Sequence, residues 1–426
     1  MTSPGVALYT DQYELTMLSA ALRDGTADRR CVFEVFARRL PPGRRYAVVA
    51  GIGRILQLLP DLRFTPTDVD FLRDTGVVDS RVAQWLAGYR FSGDIDGYAE
   101  GELYFPGSPI LTLCGTFAEC VLLETLVLSV LNHDCAIASA AARMVTAARG
   151  RTLIEMGSRR THEEAAVAAA RAAHLAGFAA TSNLEAGRRH AIPTAGTAAH
   201  AFTLLHDSEP AAFASQVAAL GKQTTLLVDT YDITQGIRNA IAVAGTDLGA
   251  IRLDSGDLSV LARQARDLLD ELGATETKIV VSGDLDEYAI AALAAEPVDV
   301  YGAGTALVTG SGAPTAGLVY KLVEVDGRGV VKRSENKATI GGRKTAVRRH
   351  KPTGTAVEEV VLPRSTPEPQ PHDRALQRPF VRGGAVLPEV PALAESREHL
   401  RQCLISIPWE GLKLSHGEPA IPVVSR

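Results

Sequence analysis

Between residues 151 and 304 the chain repeats one pattern, in which a short apolar run closes on polar or glycine positions and a stretch of helical period follows. The runs are TLIEMG (152–157), FAATSN (178–183), TTLLVD (224–229), GAIRLD (249–254), KIVVSG (278–283) and VDVYGAG (298–304). After the first, Thr161-His162-Glu163-Glu164 reads as a capping box opening an alanine-rich helix that stops near Gly177. After TTLLVD a helix runs through Ile237 and Ile241. After GAIRLD, residues Leu258, Leu261, Ala262, Ala265, Leu268, Leu269 and Leu272 share one helical face, and Gly273 is the stop. Alternating units of this kind predict an α/β fold whose parallel strands form an irregular βα barrel over residues 151–316.

The flanking parts are patterned differently. Residues 10–22 predict a helix that Thr10 or Asp11 can cap, with Tyr13, Met17 and Ala20 on one face, where the plain role of Tyr13 is core packing. Residues 31–36, 96–105 and 110–114 predict strands, with a turn at Pro106-Gly107, and residues 117–131 and 136–149 predict two helices. Residues 1–150 therefore read as a mixed α+β domain. Beyond Gly317 come strand-like GLVYKLVEV, a basic segment at 332–351 read as a solvated face, a Pro-rich stretch at 363–391 and a helix at 395–407. This last part, 317–426, is expected to return to the N-terminal domain.

Composition narrows the functional classes. A chain of 426 residues exceeds what one small core organises, and 46% hydrophobic with 22% charged residues is ordinary for a globular protein. A net charge of -5 gives no reason to expect nucleic acid or an anionic membrane as partner. The five cysteines are odd in number and lack C-x-x-C spacing, which suggests neither a disulfide framework nor a zinc site and fits a reduced cytoplasm. The N-terminus has no apolar secretory core, and the most apolar later run, 120–131, is too short to span a bilayer and carries Glu124, so a buried helix is expected.

In a βα barrel the chemistry sits at the C-terminal ends of the strands. The residues ending these runs are Arg159 and Arg160, Ser182 and Asn183, Thr197 with His200, Asp229, Arg252 with Asp254 and Asp257, Ser282 to Asp284, and Gly302 to Thr305. Ser282-Gly283-Asp284 and Gly302-Ala303-Gly304-Thr305 are small-residue turns that can aim backbone N–H groups at a phosphate. The arginines offer forks for carboxylate or phosphate, and Asp257 is placed to cap the following helix. An imidazole can act as acid, base, ligand or nucleophile, and most histidines do none of these. His200 stands out among the ten because the turn AIPTAGTAAHAF (191–202) delivers it to this rim. The whole set suggests an anionic, phosphorylated substrate.

Seven motifs in order, TDQYELTM (10–17), FEVFARRLPPGRRYAVVAG (33–51), EMGSRR (155–160), GTAAHAF (196–202), LVDTYDITQG (227–236), IRLDSGDL (251–258) and YGAGT (301–305), resemble the nicotinate phosphoribosyltransferases. The resemblance spans most of the chain and is loose after Pro352. It implies the type II phosphoribosyltransferase barrel and transfer of phosphoribosyl from phosphoribosyl pyrophosphate to nicotinate, giving nicotinate mononucleotide and pyrophosphate. It further implies Mg2+, coupling to ATP hydrolysis, and a cytoplasmic homodimer with composite sites. Carried over by motif, His200 becomes the phosphohistidine and Tyr13, with Asp11 beside it, stacks on the pyridine ring. Thr197 and Arg252 lie near nicotinate, Arg159 and Asp254 line the same pocket, and Thr305 lies near the phosphoribosyl phosphate; from their places at the strand ends, Ser182 and Asn183 are expected to contact the substrate and Ser282, Gly283, Asp284, Gly302 and Gly304 to hold phosphate. Nicotinamide phosphoribosyltransferases are the nearest alternative, but they place an acid at about Ser182 or Asn183 and an aromatic where Met156 stands. A non-catalytic ligand-binding relative is the other alternative, against which the retained His200 argues; a metal-dependent hydrolase is weaker, since no His-x-His pair ends a strand.

Overall fold

The computed structural model describes residues 5–332, 340–365, 368 and 370–425. The chain divides into two compact units, one made of Met1–Ala138 with Thr315–Arg426 and the other of Ser139–Pro314. The C-terminal segment thus shares a unit with the N-terminal one, and the first boundary falls inside a helix, Glu124–Ala147.

In the second unit all six apolar runs become parallel strands, hydrogen-bonded in the order Ala180–Thr181, Thr152–Glu155, Val300–Ala303, Lys278–Gly283, Ala250–Leu253, Thr225–Leu227. The middle strands are buried almost end to end, as expected when helices cover a parallel sheet. This is a curled half-barrel rather than a hydrogen-bonded ring. The physical reason lies between the second and third runs, where the chain spends itself on three helices, Leu184–His190, His200–Leu204 and Glu209–Leu220, and adds only an isolated bridge, Thr181 to Thr194. The helix Leu258–Glu271 buries Ala262, Ala265, Leu268 and Leu269 and is capped by Asp257, whose carboxylate accepts from the amides of Ser259 and Val260. The helix Glu163–Ala176 ends at Gly177 as its sequence indicates, but its cap is His162, whose Nδ1 accepts from the Glu164 amide, rather than a Thr161 capping box.

The first unit is built on a seven-stranded sheet that interleaves both ends of the chain: Arg30–Ala37 pairs with Leu111–Thr116 on one side and with Leu318–Val325 on the other. Three details differ from the sequence reading. The N-terminal helix, Gln12–Asp24, buries Glu14, Leu15, Leu18 and Ala21, so Tyr13 lies off the core face and is 45% exposed. Glu14 turns inward because Thr125 satisfies its carboxylate through both amide and hydroxyl, and Thr10 donates to it instead of capping. Second, the two helices expected over 117–149 are a short one, Phe117–Val121, and one unbroken helix, Glu124–Ala147. The polar residues NHDC in its middle look like a break but make tertiary contacts: Asn132 accepts from the Leu318 amide at 2.8 Å, and Asp134 pairs with Arg54 at 2.7 Å. The stretch Phe117–Ala147 is long and apolar enough to cross a membrane by composition, yet most of it is buried inside the protein.

Third, the basic segment is not simply a solvated face; residues 333–339 lie outside the described residues, but Lys344 and Arg348 are buried in the strand Lys344–His350. Lys344 pairs with Glu34 at 2.5 Å, and Arg348 lies sealed between Glu102 and Glu359 at 2.5 and 2.6 Å. All five cysteines are buried, and none of them forms a disulfide.

Candidate active site

Because the six strands are parallel and in register, their polar ends meet at one edge of the second unit. There they enclose a cavity of about 290 Å³ lined by Arg159, Ser182, Thr197, Arg252, Asp254, Ser282, Gly283, Asp284, Gly302, Gly304 and Thr305, together with Met156, Ser158, Arg160 and the 195–199 turn. A neighbouring hollow of about 690 Å³ shares Arg160, Asp254 and Ser282 to Asp284 with it and continues along Ser255 to Ser259. Eleven of the fifteen site residues expected from sequence are therefore brought to one cavity wall.

Arg252 organises this cavity. Its side chain leaves the strand Ala250–Leu253 and donates through Nε to Ser282, through Nη1 to Thr197 and through Nη2 to Asp254, each at 2.7 Å. Three of the five guanidinium N–H groups are thus engaged, and two remain for a ligand. Asp254 also accepts from the Ser282 hydroxyl. Burial alone would push the Asp254 carboxyl up, but the Ser282 hydrogen bond and the Arg252 charge outweigh it and hold the group below the usual aspartate range. The result is a rigid, positively forked wall, only 14% exposed at the arginine.

The two small-residue turns behave differently. Gly302 is closely packed: a Cβ there would come within 2.8 Å of Met156 Sδ and 3.2 Å of the Ser282 Cβ, so the methionine would have to shift. Thr305 opens a short helix, Thr305–Val308, whose cap position is Gly304 and has no capping side chain. Gly304 and Thr305 line the cavity wall. The turn Ser282 to Asp284 does not feed a free helix end, because the following helix, Glu287–Ala292, is already capped by Asp286.

His200 opens the helix His200–Leu204 directly after the cavity-lining turn and is itself not part of the lining. Its Nδ1 lies 3.1 Å from the Thr230 hydroxyl and its Nε2 lies 3.8 Å from Asp229 Oδ1. The Asp229 side chain is 1% exposed; Oδ2 accepts from the Asp254 amide and the Ser255 hydroxyl, both at 2.9 Å, whereas Oδ1 is buried without a hydrogen-bond partner. A buried carboxylate oxygen with no donor is costly unless a ligand or a cation completes it, so Asp229 and Thr230 join His200 as candidate functional residues. Asp229 stood among the strand-end residues, and LVDTYD is the sequence signal for both.

Asn183 works locally: its Oδ1 caps the helix Leu184–His190 through the Ala186 amide and its Nδ2 donates to Ser158. Asp11 and Tyr13 belong to the first unit, and the Tyr13 hydroxyl donates to Glu124; burial, and then that carboxylate, push the hydroxyl well above its ordinary range. Among the described residues one group has metal-ligand residue types, Glu102, His399 and Cys403 in the first unit. Its donors are already spent, because Glu102 accepts from Arg348, Arg374, His399 and the Leu103 amide, so the group is an ion-pair network.

A family profile described as the nicotinate phosphoribosyltransferase N-terminal domain matches residues 8–132, and one described as the quinolinate phosphoribosyl transferase C-terminal domain matches 137–311. The chain is 63% identical over 425 residues to the nicotinate phosphoribosyltransferase pncB1 of Mycobacterium tuberculosis, covering 97% of this chain and 94% of that protein. It is 41% identical to the Bacillus subtilis nicotinate phosphoribosyltransferase, over 80% of this chain and 73% of that one. The crystal structure of human nicotinic acid phosphoribosyltransferase superposes with a TM-score of 0.86 at 27% identity, covering 98% of this chain and 97% of that chain.

Proposed function

The chain belongs to the nicotinate phosphoribosyltransferase family, and from that premise we propose that the Arg252 cavity joins nicotinate to phosphoribose while ATP phosphorylates His200. It is an enzyme of NAD salvage from nicotinate, with nicotinate and phosphoribosyl pyrophosphate as substrates and nicotinate mononucleotide and pyrophosphate as products. The observation that carries the reading is the Arg252 fork, which keeps two N–H groups for the substrate carboxylate and is held by three partners.

Loss of pyrophosphate from the anomeric carbon builds oxocarbenium character, so the site must hold the ring nitrogen in line and absorb charge at the leaving group. Arg252 and Thr197 fix the pyridine carboxylate, and the wall at Gly304 and Thr305 takes the ribose 5′-phosphate. Arg159 and Arg160 offer charge to the pyrophosphate, and the adjoining hollow leaves room for a second polyphosphate. Asp254 and Asp284 are the cavity carboxylates suited to Mg2+, which supplies charge neutralisation for the polyphosphates when bound. Asp229 opposite Nε2 favours the imidazole tautomer protonated there and frees Nδ1, beside Thr230, to attack the ATP γ-phosphorus with departure of ADP. We read the half-barrel as part of the irregular type II phosphoribosyltransferase barrel.

The exposure of Tyr13 supports a homodimer in which this ring enters the neighbouring site, and the exposed Leu204, Leu205 and Tyr231 around His200 offer apolar surface to such a neighbour. A reducing, cytoplasmic setting fits five cysteines that form no disulfide. The test of the coupling is to incubate the protein with ATP labelled at the γ-phosphate and locate the label. Acid-labile label on His200 is expected; absence of any label on the protein would remove the phosphohistidine step.

A further inference from the structure

Glu155 ends the strand Thr152–Glu155 and is fully buried, yet among the described residues no ion pair reaches it. Burial pushes its carboxyl up, with only two hydrogen bonds opposing the rise. Such a group is expensive to keep, and its partners show what it holds. Oε1 accepts from the Gly157 amide, at the root of the Ser158–Arg160 turn. Oε2 accepts from the Thr181 hydroxyl at 2.5 Å, on the neighbouring strand. Thr181 Oγ1 in turn accepts from the Asn183 amide at 2.9 Å, and Asn183 Nδ2 donates to Ser158 at 3.0 Å.

These contacts close a ring, Glu155 to Thr181 to Asn183 to Ser158 and back through Gly157. The ring ties together the two segments that carry Arg159 and Ser182 to the cavity. Packing makes it tight: a Cβ on Gly157 would come within 3.0 Å of Glu155 Oε1 and 2.2 Å of Val308. We propose that Glu155 is a positioning residue for nicotinate, setting through this ring the spacing of Arg159 and Ser182 across the cavity. The inference rests on the reading of that cavity as the nicotinate site.

The substitutions separate positioning from simple stability. Glu155→Ala and Thr181→Val each cut the ring and are expected to raise the KM for nicotinate at least tenfold with kcat changed less than threefold. Cutting one ring twice adds nothing, so the double variant should match Glu155→Ala alone. Glu155→Gln keeps an acceptor for Gly157 and a donor for Thr181, so it should recover most of the affinity. Glu155→Asp, one methylene short of spanning both partners, should not. Hydrogen exchange followed by mass spectrometry gives a readout without activity: residues 157–160 and 181–183 should exchange faster together in Thr181→Val, and Glu155→Gln should keep both protected. A nicotinate KM within twofold of wild type in Glu155→Ala, or additive effects in the double variant, overturns the proposal while the function stands. If the wild type forms no mononucleotide the function falls instead, and the exchange of the two segments still decides the ring: unchanged protection in Thr181→Val overturns it. Should Glu155→Ala fail to fold, Thr181→Val and Glu155→Gln carry the same comparison.

Discussion

Replacing Arg252 by lysine keeps the charge and removes the fork. In the native cavity the guanidinium reaches Ser282, Thr197 and Asp254 at once from three nitrogens lying in one plane. A lysine ammonium is a single point with tetrahedral donors, and it cannot serve three partners in that arrangement and a substrate carboxylate as well. The substrate then loses at least one charge-assisted hydrogen bond, worth about 1.5–3 kcal/mol, which corresponds to a roughly 10- to 150-fold fall in kcat/KM. Nicotinamide, which has no carboxylate, should lose far less. The assay is initial-rate mononucleotide formation over a range of nicotinate at saturating phosphoribosyl pyrophosphate, repeated with nicotinamide. A value within threefold of wild type for nicotinate, or equal losses for both substrates in a protein of unchanged thermal midpoint, would refute the role given to the fork.

His200→Ala should abolish both the γ-phosphate label and the stimulation by ATP while leaving a basal, ATP-independent rate, and full stimulation in this variant would contradict the assignment. Asp229→Asn keeps the size of the side chain but removes the charge facing Nε2 at 3.8 Å, so the rate of His200 labelling should fall by about fivefold, the equivalent of about 1 kcal/mol for an ion pair that is not hydrogen-bonded, and an unchanged rate would remove Asp229 from the step. In the first unit, Arg348→Ala leaves the buried Glu359 without its cation and takes one of three from Glu102, and should cost about 3–5 kcal/mol at neutral pH in urea unfolding. Burial pushes Glu102 up, but Arg348, His399 and Arg374 outweigh it and hold the group well below the ordinary range. A depressed folded value means that its stabilisation is present above the unfolded value of about 4.3 and is lost as pH falls towards the folded one. The Arg348→Ala penalty should therefore shrink on acidification, and a penalty independent of pH would argue against an electrostatic origin.

The parallel sheet was legible because its strands are covered by helices on the sequence scale of one βα unit, so each apolar run carries its own polar ending. The cavity followed from the same rule, since Arg252, Asp254 and Ser282 end adjacent strands. What was hidden depends on partners distant in sequence. Asn132 and Asp134 look like a loop until Leu318 and Arg54 are seen to satisfy them. Lys344 and Arg348 read as solvated charge because Glu34, Glu102 and Glu359 lie far from them in the chain or were not expected to turn inward. The face of the first helix was misjudged for the same reason: Glu14 is buried by Thr125, more than a hundred residues on. Glu155 and Thr230 fall inside EMGSRR and LVDTYDITQG, but those motifs do not say what each side chain holds, since that depends on Thr181 and His200, about thirty residues away in the chain.

The most direct test of the account is the substrate preference of the wild-type protein. With phosphoribosyl pyrophosphate, Mg2+ and ATP present, nicotinate and nicotinamide are offered separately and mononucleotide is measured for each. Higher kcat/KM with nicotinate, increased further by ATP, is the predicted result. Faster turnover of nicotinamide, or a nicotinate rate indifferent to Arg252→Lys, would contradict it.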